Sequence, residues 1–260
     1  MSRTWLWAAI QTLIWRNGLI VDAVWEDLFD KAVACLDNCS NEMPSFVRWS
    51  LGGGTALMMH LFHRRSKDID IFINYAEMLP LLSPRLNAKA DALASDYTEA
   101  QNFVKLKLPQ REIDFTVGPH LTNDPWRETD IRGRVVLLET PWEIVTKKLF
   151  YRASTLQTRD VFDVAAVLHH YPREIHRNID ILHGKFDLLQ HRLNMIRPRY
   201  ENEAIANIDV LPAGEPFLHD APGLVSKFLK FAQERERAQQ RYHEPPDRSG
   251  NHSNKREDGR

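Results

Sequence analysis

The sequence predicts an α+β protein in which a mixed β-sheet forms the core of one domain and helices form the next. Short apolar runs of strand length, separated by turn residues, fill the middle of the chain. Helical spacing of apolar residues dominates the first 45 residues and the chain after residue 140. Strands grouped in one part of a chain and helices in another are typical of α+β folds. The predicted organisation is N-terminal helices packing on the core (1–45), the core itself (46–140), a helical domain (141–242) and a disordered tail (243–260).

The elements are predicted in chain order from these patterns. After the N-terminal helical region, the predicted strands are 46–51, 69–73, 103–108, 113–117 and 135–138. The predicted helices are 55–62, 76–94 with a break at Pro84, 141–153, 158–170, 178–195 and one near 222–240. The tail is rich in Arg, Glu, Pro, Ser and Asn and buries too little apolar surface to order itself.

Composition is that of a globular protein with a sizeable core. The 260 residues are 43% hydrophobic. The formal net charge of -1 does not indicate a nucleic-acid-binding protein, so any such contact would need a local basic patch. Cys35 and Cys39 lack a second cysteine pair to complete a zinc site, and they are predicted to be free, buried thiols.

The first fifteen residues predict an amphipathic packing helix. Gln11 interrupts their apolar run and no small-residue cleavage site follows, which argues against a signal peptide. No apolar stretch is long enough to cross a bilayer, so a cytoplasmic protein without membrane contact is predicted.

Three aspartates indicate a metal site. Asp68 and Asp70 are two residues apart on a predicted strand, so both side chains lie on one face and repel each other unless a cation binds there. Asp114 interrupts the apolar alternation of another strand. Oxygen ligands without His or Cys suit Mg²⁺ or Mn²⁺, and carboxylates on neighbouring strands are the arrangement that holds two ions for phosphoryl displacement.

A glycine-rich turn precedes these acids. Gly52, Gly53 and Gly54 lie between a predicted strand and a predicted helix, where backbone N–H groups can approach a phosphate. Thr55 would cap that helix or contact a phosphate. The spacing matches neither the Walker loop nor the dinucleotide fingerprint, and such turns are often only tight turns.

Basic residues near the acids leave two interpretations open. They either form solvated turns and helix-stabilising ion pairs, or they neutralise a triphosphate or an RNA backbone. These residues are Arg64, Arg65, Lys67, Lys148, Arg152 and Arg159.

The order strand, glycine turn, short helix, basic stretch and Asp-x-Asp resembles the DNA-polymerase-β-like nucleotidyltransferases. More closely, GGTAL followed by HRRSKDIDIF, with the second block ETPWEIVTKKLFYRASTLQTRDVFDVAAVL, resembles the AbiEii/AbiGii toxin nucleotidyltransferases of type IV toxin–antitoxin pairs. The two blocks and Asp114 cover roughly residues 40–170. Three glycines stand where the family more usually has two, a mild departure that does not disable the turn.

The resemblance implies a role for each matching position. The implied catalytic residues are Asp68, Asp70, Asp114, Lys148, Asp160 and Asp163, with the first three also binding metal. The implied or inferred nucleotide-binding residues are Gly53, Gly54, Thr55, Arg65, Ser66, Lys147, Arg152 and Arg159. Because Lys147 and Lys148 are adjacent, the choice of the lysine that contacts the triphosphate stays open.

The resemblance also implies the function. A Mg²⁺-dependent enzyme would transfer a nucleotide from a nucleoside triphosphate to RNA, such as the 3′ end of tRNA, or to a protein, and inhibit growth. A winged-helix antitoxin encoded nearby would be its partner. Two alternatives are a nucleotide-binding module without turnover and a nucleotidyltransferase that modifies a small antibiotic, against which the second block argues.

Overall fold

The computed structural model describes residues 24–42 and 48–243. The predictions for residues 1–23 and for the tail beyond residue 243 fall outside them. Within the described part of the chain, no helix has both the length and the apolar character to cross a membrane. Cys35 and Cys39 are buried and form no disulfide, as predicted.

Seven strands form one mixed sheet, which confirms the predicted α+β class. The order across the sheet is β3-β4-β5-β2-β1-β7-β6. The strands are β1 (Trp49–Gly52), β2 (Ile69–Ile73), β3 (Asp96–Ala100), β4 (Phe103–Leu108), β5 (Arg111–Val117), β6 (Trp126–Ile131) and β7 (Arg134–Glu139). β1 pairs antiparallel with β2 and parallel with β7, while β2 pairs parallel with β5.

Helices surround the sheet and make up the C-terminal part of the described chain. They are α1 (Val24–Glu42), α2 (Gly53–Leu61), α3 (Leu79–Leu82), α4 (Ala88–Leu93), α5 (Pro141–Tyr151), α6 (Thr158–His170), α7 (Pro172–Arg177), α8 (Phe186–Ile196), α9 (Tyr200–Asn207) and α10 (Phe217–His243). Short 3₁₀ turns lie at Ala76–Met78, Ile179–Leu182, Arg197–Arg199 and Pro212–Gly214. One continuous cluster of buried apolar side chains extends from α1 to α10.

The differences from the predicted elements have physical causes. β3 and β6 were not predicted because they are the edge strands, and most of their side chains are exposed and polar. The predicted helix 76–94 is divided into a 3₁₀ turn, α3 and α4. The predicted helix 178–195 is a 3₁₀ turn and α8, with Gly184 at positive φ between them. α10 begins earlier than predicted, at Phe217, and continues through Pro222.

The register places four residues in a row across the sheet. Gly52 on β1 pairs with Asp70 on β2, Asp70 pairs with Asp114 on β5, and Asp114 pairs with Lys105 on β4. Partners in neighbouring strands project to the same face, so this row brings the predicted acids to one face of the sheet. The buried isoleucines of β2 occupy the opposite face.

The loop before β2 is joined to the C-terminal helices through the backbone. Arg65 N donates to Asp209 O at 2.8 Å, and Leu211 N donates to His63 O at 3.0 Å. Arg64 and Val210 form an antiparallel bridge between these two bonds. The segment that follows α9 therefore fixes the path of the loop that leads into Asp68.

Candidate active site

A cleft of about 720 Å³ lies over the row of residues on the sheet. Its walls come from the first turn of α2, the loop before β2, strands β2 and β5, and helix α5. The predicted site residues that line it are Gly53, Gly54, Arg65, Ser66, Asp68, Asp70, Asp114, Lys147, Lys148, Arg152 and Arg159. Thr55, Asp160 and Asp163 are buried and do not line it.

The glycines form the first turn of α2 rather than a separate loop. Gly53 has a φ of 64°, and a Cβ there would overlap the carboxylate of Asp70. Only glycine accepts both constraints without strain. Thr55 is buried beneath this turn, and its Oγ1 donates to the carbonyl of Asp68 at 2.5 Å. This bond ties the helix start to the start of β2.

The three aspartates offer oxygen ligands that suit a divalent cation. Asp68 Oδ1 accepts a hydrogen bond from Glu112 N at 3.0 Å. Asp114 Oδ1 is buried and has no hydrogen-bond partner among the described residues. Burial, together with the nearby Asp70 carboxylate, raises the pKa of Asp114 to about 6. An orphaned buried oxygen beside two further carboxylates fits a divalent metal ion.

A lysine lies beside the third aspartate. Lys105 Nζ lies 2.7 Å from Glu112 Oε2 and 3.1 Å from Asp114 Oδ2. The carboxylate oxygens of Asp68, Asp70 and Asp114 do not all lie within 4.8 Å of one another. Among the described residues, one ligand atom from each of His120, Glu139 and Glu143 does meet this limit.

Lys147 contacts both glutamates of this second group. Lys147 Nζ lies 2.6 Å from Glu139 Oε1, 3.5 Å from Glu143 Oε1 and 3.9 Å from the centre of the Phe72 ring. Glu143 also accepts hydrogen bonds from the backbone N–H groups of residues 121 and 122. The ammonium group contacts both buried carboxylates and offsets one of their two negative charges.

Lys148 faces a different set of acids. Its Nζ lies 2.6 Å from Asp160 Oδ1 and 3.0 Å from Asp163 Oδ2. Arg152 also reaches Asp160, at 3.2 Å, while 45% of its side chain remains exposed. Neighbouring residues on a helix point about 100° apart. Lys147 is therefore turned toward β7, whereas Lys148 and Arg152 are turned toward α6.

Arg64 is the site residue whose position the sequence did not single out. Its Nε and Nη2 bind the two oxygens of Asp163 at 2.6 and 2.8 Å. A Cβ on Gly54 would lie 2.9 Å from Arg64 Nη2 and 2.8 Å from Ser66 Oγ, so both groups abut the glycine turn. Burial opposes the charge, but Asp163 more than offsets it and raises the pKa of Arg64. The guanidinium therefore stays protonated beside the turn.

Asp163 is the acid that holds this cation. His63 Nε2 lies 2.8 Å from Asp163 Oδ1, and burial lowers the pKa of His63, so the neutral ring donates. Burial would raise the pKa of Asp163, but Arg64 and Lys148 hold it well below its usual value. By contrast, the Arg65 side chain pairs at 3.1 Å with Asp209, whose side chain is half exposed.

A sequence profile of the family described as "Nucleotidyl transferase AbiEii toxin, Type IV TA system" matches residues 36–213. The comparison with curated proteins found no match.

Three solved structures illustrate the structural matches. JHP933 from Helicobacter pylori is 15% identical with a TM-score of 0.41, covering 81% of this chain and 96% of that chain. ANT(2")-Ia in complex with adenylyl-2"-tobramycin is 16% identical with a TM-score of 0.42, covering 58% of this chain and 92% of that chain. The STING-associated CdnE c-di-GMP synthase from Capnocytophaga granulosa is 10% identical with a TM-score of 0.24, covering 82% of each chain. At such low similarity, the family assignment rests on the sequence profile.

Gly53→Ala tests the contact between the glycine turn and Asp70. The new Cβ displaces the Asp70 carboxylate, so we expect triphosphate binding to be lost and the free energy of unfolding to fall by about 2–3 kcal/mol. Urea unfolding and titration with a non-hydrolysable triphosphate analogue measure both. Gly133→Ala is the matched control, since Gly133 also has positive φ but has no atom near an added Cβ. It should lose about 1 kcal/mol and bind normally. Equal binding by the two variants contradicts the contact.

Asp114→Asn tests whether burial and the neighbouring Asp70 carboxylate destabilise the charged form of Asp114. The pKa of Asp114 in the folded protein, about 6, lies above the ordinary pKa of an aspartate, so the folded state binds this proton more tightly. Stability is therefore lost as the pH rises through this window and stays lost above it. Without divalent ions, we expect the variant to be about 2 kcal/mol more stable than the parent above pH 6, with the difference shrinking toward pH 4. Mg²⁺ should stabilise only the parent. Thermal unfolding of both proteins from pH 4 to above pH 6 measures this difference. If the stability difference between the parent and the variant does not change with pH, the raised pKa of Asp114 is wrong.

Proposed function

This chain belongs to the AbiEii family of nucleotidyl transferase toxins, and we propose that it transfers a nucleotide from a Mg²⁺-bound nucleoside triphosphate to the 3′ hydroxyl of an RNA acceptor such as tRNA. The observation that carries the proposal is the convergence, in one cleft, of a glycine turn, three aspartates and cations fixed by buried acids. The family assignment already implies a triphosphate substrate and an antitoxin partner. The proposed antitoxin is a winged-helix protein encoded nearby.

The triphosphate is proposed to lie between the first turn of α2 and the cations of α5. Backbone N–H groups at a helix start attract anions, and Gly54 leaves room for Arg64 and Ser66 at that point. Lys148 and Arg152 line the same cleft, and Lys148 shares Oδ2 of Asp163 with Arg64. Guanidinium and ammonium groups held in place before the ligand arrives stabilise a phosphoryl group without reorganisation.

Asp68, Asp70 and Asp114 would hold the Mg²⁺ ions. When bound, the ions would neutralise the triphosphate and make the acceptor hydroxyl more acidic. Asp160 and Asp163, which the sequence assigned to catalysis, are proposed instead as positioning residues. Both are fully buried, and their bonds to Arg64, Lys148 and Arg152 aim those cations into the cleft.

An RNA acceptor is supported by where the charge lies. The whole chain carries a formal charge of -1, but buried acids that do not line the cleft hold Arg64, Lys148 and Arg152 at it. Arg65 and Arg152 are partly exposed at this cleft, which gives a phosphodiester backbone access to them.

Label transfer from each of the four triphosphates tests the activity. We expect one or more to label RNA in a mixture of total RNA, total protein and aminoglycosides, and Asp70→Asn to reduce the rate at least about 100-fold. Asp91→Asn, at an exposed position outside the cleft, is the control and should retain the parent rate. Label on protein or on an aminoglycoside, and not on RNA, would show that RNA is not the acceptor. Tight Mg²⁺-triphosphate binding without label anywhere would favour a non-catalytic module.

Separate variants decide which lysine contacts the triphosphate. Lys148→Met should weaken triphosphate binding at least about 10-fold, because it removes a charge from the phosphate wall. Lys147→Met leaves Glu139 and Glu143 without their cation, so we expect mainly a loss of about 3 kcal/mol in stability. Calorimetric titration and urea unfolding of both proteins measure the two effects. The opposite pattern would assign the contact to Lys147.

A further inference from the structure

A second groove of about 320 Å³ lies beside the cleft, among the C-terminal helices. The start of α6, the end of α8, the 3₁₀ turn after α8 and helix α9 form its walls. Arg159, Asn207 and Ile208 line both the groove and the cleft, so the two form one continuous depression. No part of the proposed catalytic arrangement uses the rest of this groove.

Three arginines and one glutamate line the groove. Glu203 Oε1 accepts from Arg199 Nε at 2.9 Å, and its other oxygen accepts from the hydroxyl of Thr158. Arg192 Nε donates to the carbonyl of Leu156 at 2.8 Å, which anchors the guanidinium at the wall. One carboxylate cannot neutralise three guanidinium groups, so the groove carries excess positive charge.

Arg159 connects this charge to the catalytic acids. It lines the groove and also the cleft that Asp68 lines. A chain of guanidinium groups thus runs from Asp68 through Arg159 to Arg192 and Arg199. Ile196 and Ile208 are buried beneath them and form the floor of the groove.

We propose that this groove binds the phosphate backbone of single-stranded RNA just upstream of the 3′ nucleotide that enters the cleft. The inference rests on the proposed function, since RNA is the acceptor there. Guanidinium groups bind phosphates through paired hydrogen bonds, and spaced arginines fit the repeating charge of a strand better than a single small anion. Continuity with the cleft gives the strand a direct path to the aspartates.

Binding of a fluorescent single-stranded RNA with a free 3′ hydroxyl, measured over a range of salt concentrations without triphosphate, tests the groove. We expect the double substitution of Arg192→Gln and Arg199→Gln to weaken binding about 10-fold and to reduce the salt slope by about 1 to 2. Triphosphate binding should be unchanged. If Arg192→Gln impairs folding, Arg199→Gln is tested alone. It breaks only a partly exposed pair with Glu203 and should weaken RNA binding about 3-fold.

The matched control is the double substitution of Arg173→Gln and Arg177→Gln. Both arginines are exposed on α7, outside the groove, and their loss changes the net charge equally. RNA affinity and salt slope that are the same in groove and control variants would overturn the inference, as would a parent protein that does not bind RNA.

Nucleotide labelling separates this inference from the proposed function. If the parent labels protein or a small molecule but does not bind RNA, the groove assignment fails while nucleotide transfer stands. If the parent binds RNA through Arg192 and Arg199 but transfers no nucleotide, the groove stands and the catalytic proposal fails.

Discussion

The buried carboxylate of Asp163 is the interaction on which the site depends. It lies on α6, yet it receives Arg64 and His63 from the loop before β2 and Lys148 from α5, all within 3.0 Å. Leaving a buried charge without its partner costs about 3–5 kcal/mol, so these groups hold one another in place. The same contact keeps the Arg64 guanidinium against the glycine turn, and the strand region and the helical region thereby form a single site.

Most of the other charges near the cleft also have built-in partners. Lys105 forms ion pairs with Glu112 and Asp114, and Lys147 forms ion pairs with Glu139 and Glu143. Because these cations and acids pair with one another, a chain of nearly neutral net charge can hold many charged side chains in one cleft. Asp114 keeps one unpartnered oxygen, so the compensation is incomplete at the position where catalysis would need a cation.

The sequence predicts the parts of this structure that depend on local patterns. Alternation identified β2, β4 and β5, and it placed Asp68 and Asp70 on one face because side chains alternate along strands. That Asp114 shares this face follows from the pairing of β2 with β5, which the sequence did not predict. Edge strands were missed because they need no apolar face. The choice of Arg64 over Arg65 as the cation at the turn could not be predicted, since the backbone of residues 209–211 sets that loop.

The backbone bonds between the loop before β2 and the segment after α9 have a consequence for synthesis. Translation delivers the aspartates and glycines long before residues 209–211, so the loop acquires its final path only when nearly the whole described chain has left the ribosome. Contacts of such sequence separation form late. A fragment that ends before residue 209 lacks the backbone bonds that fix the path of this loop.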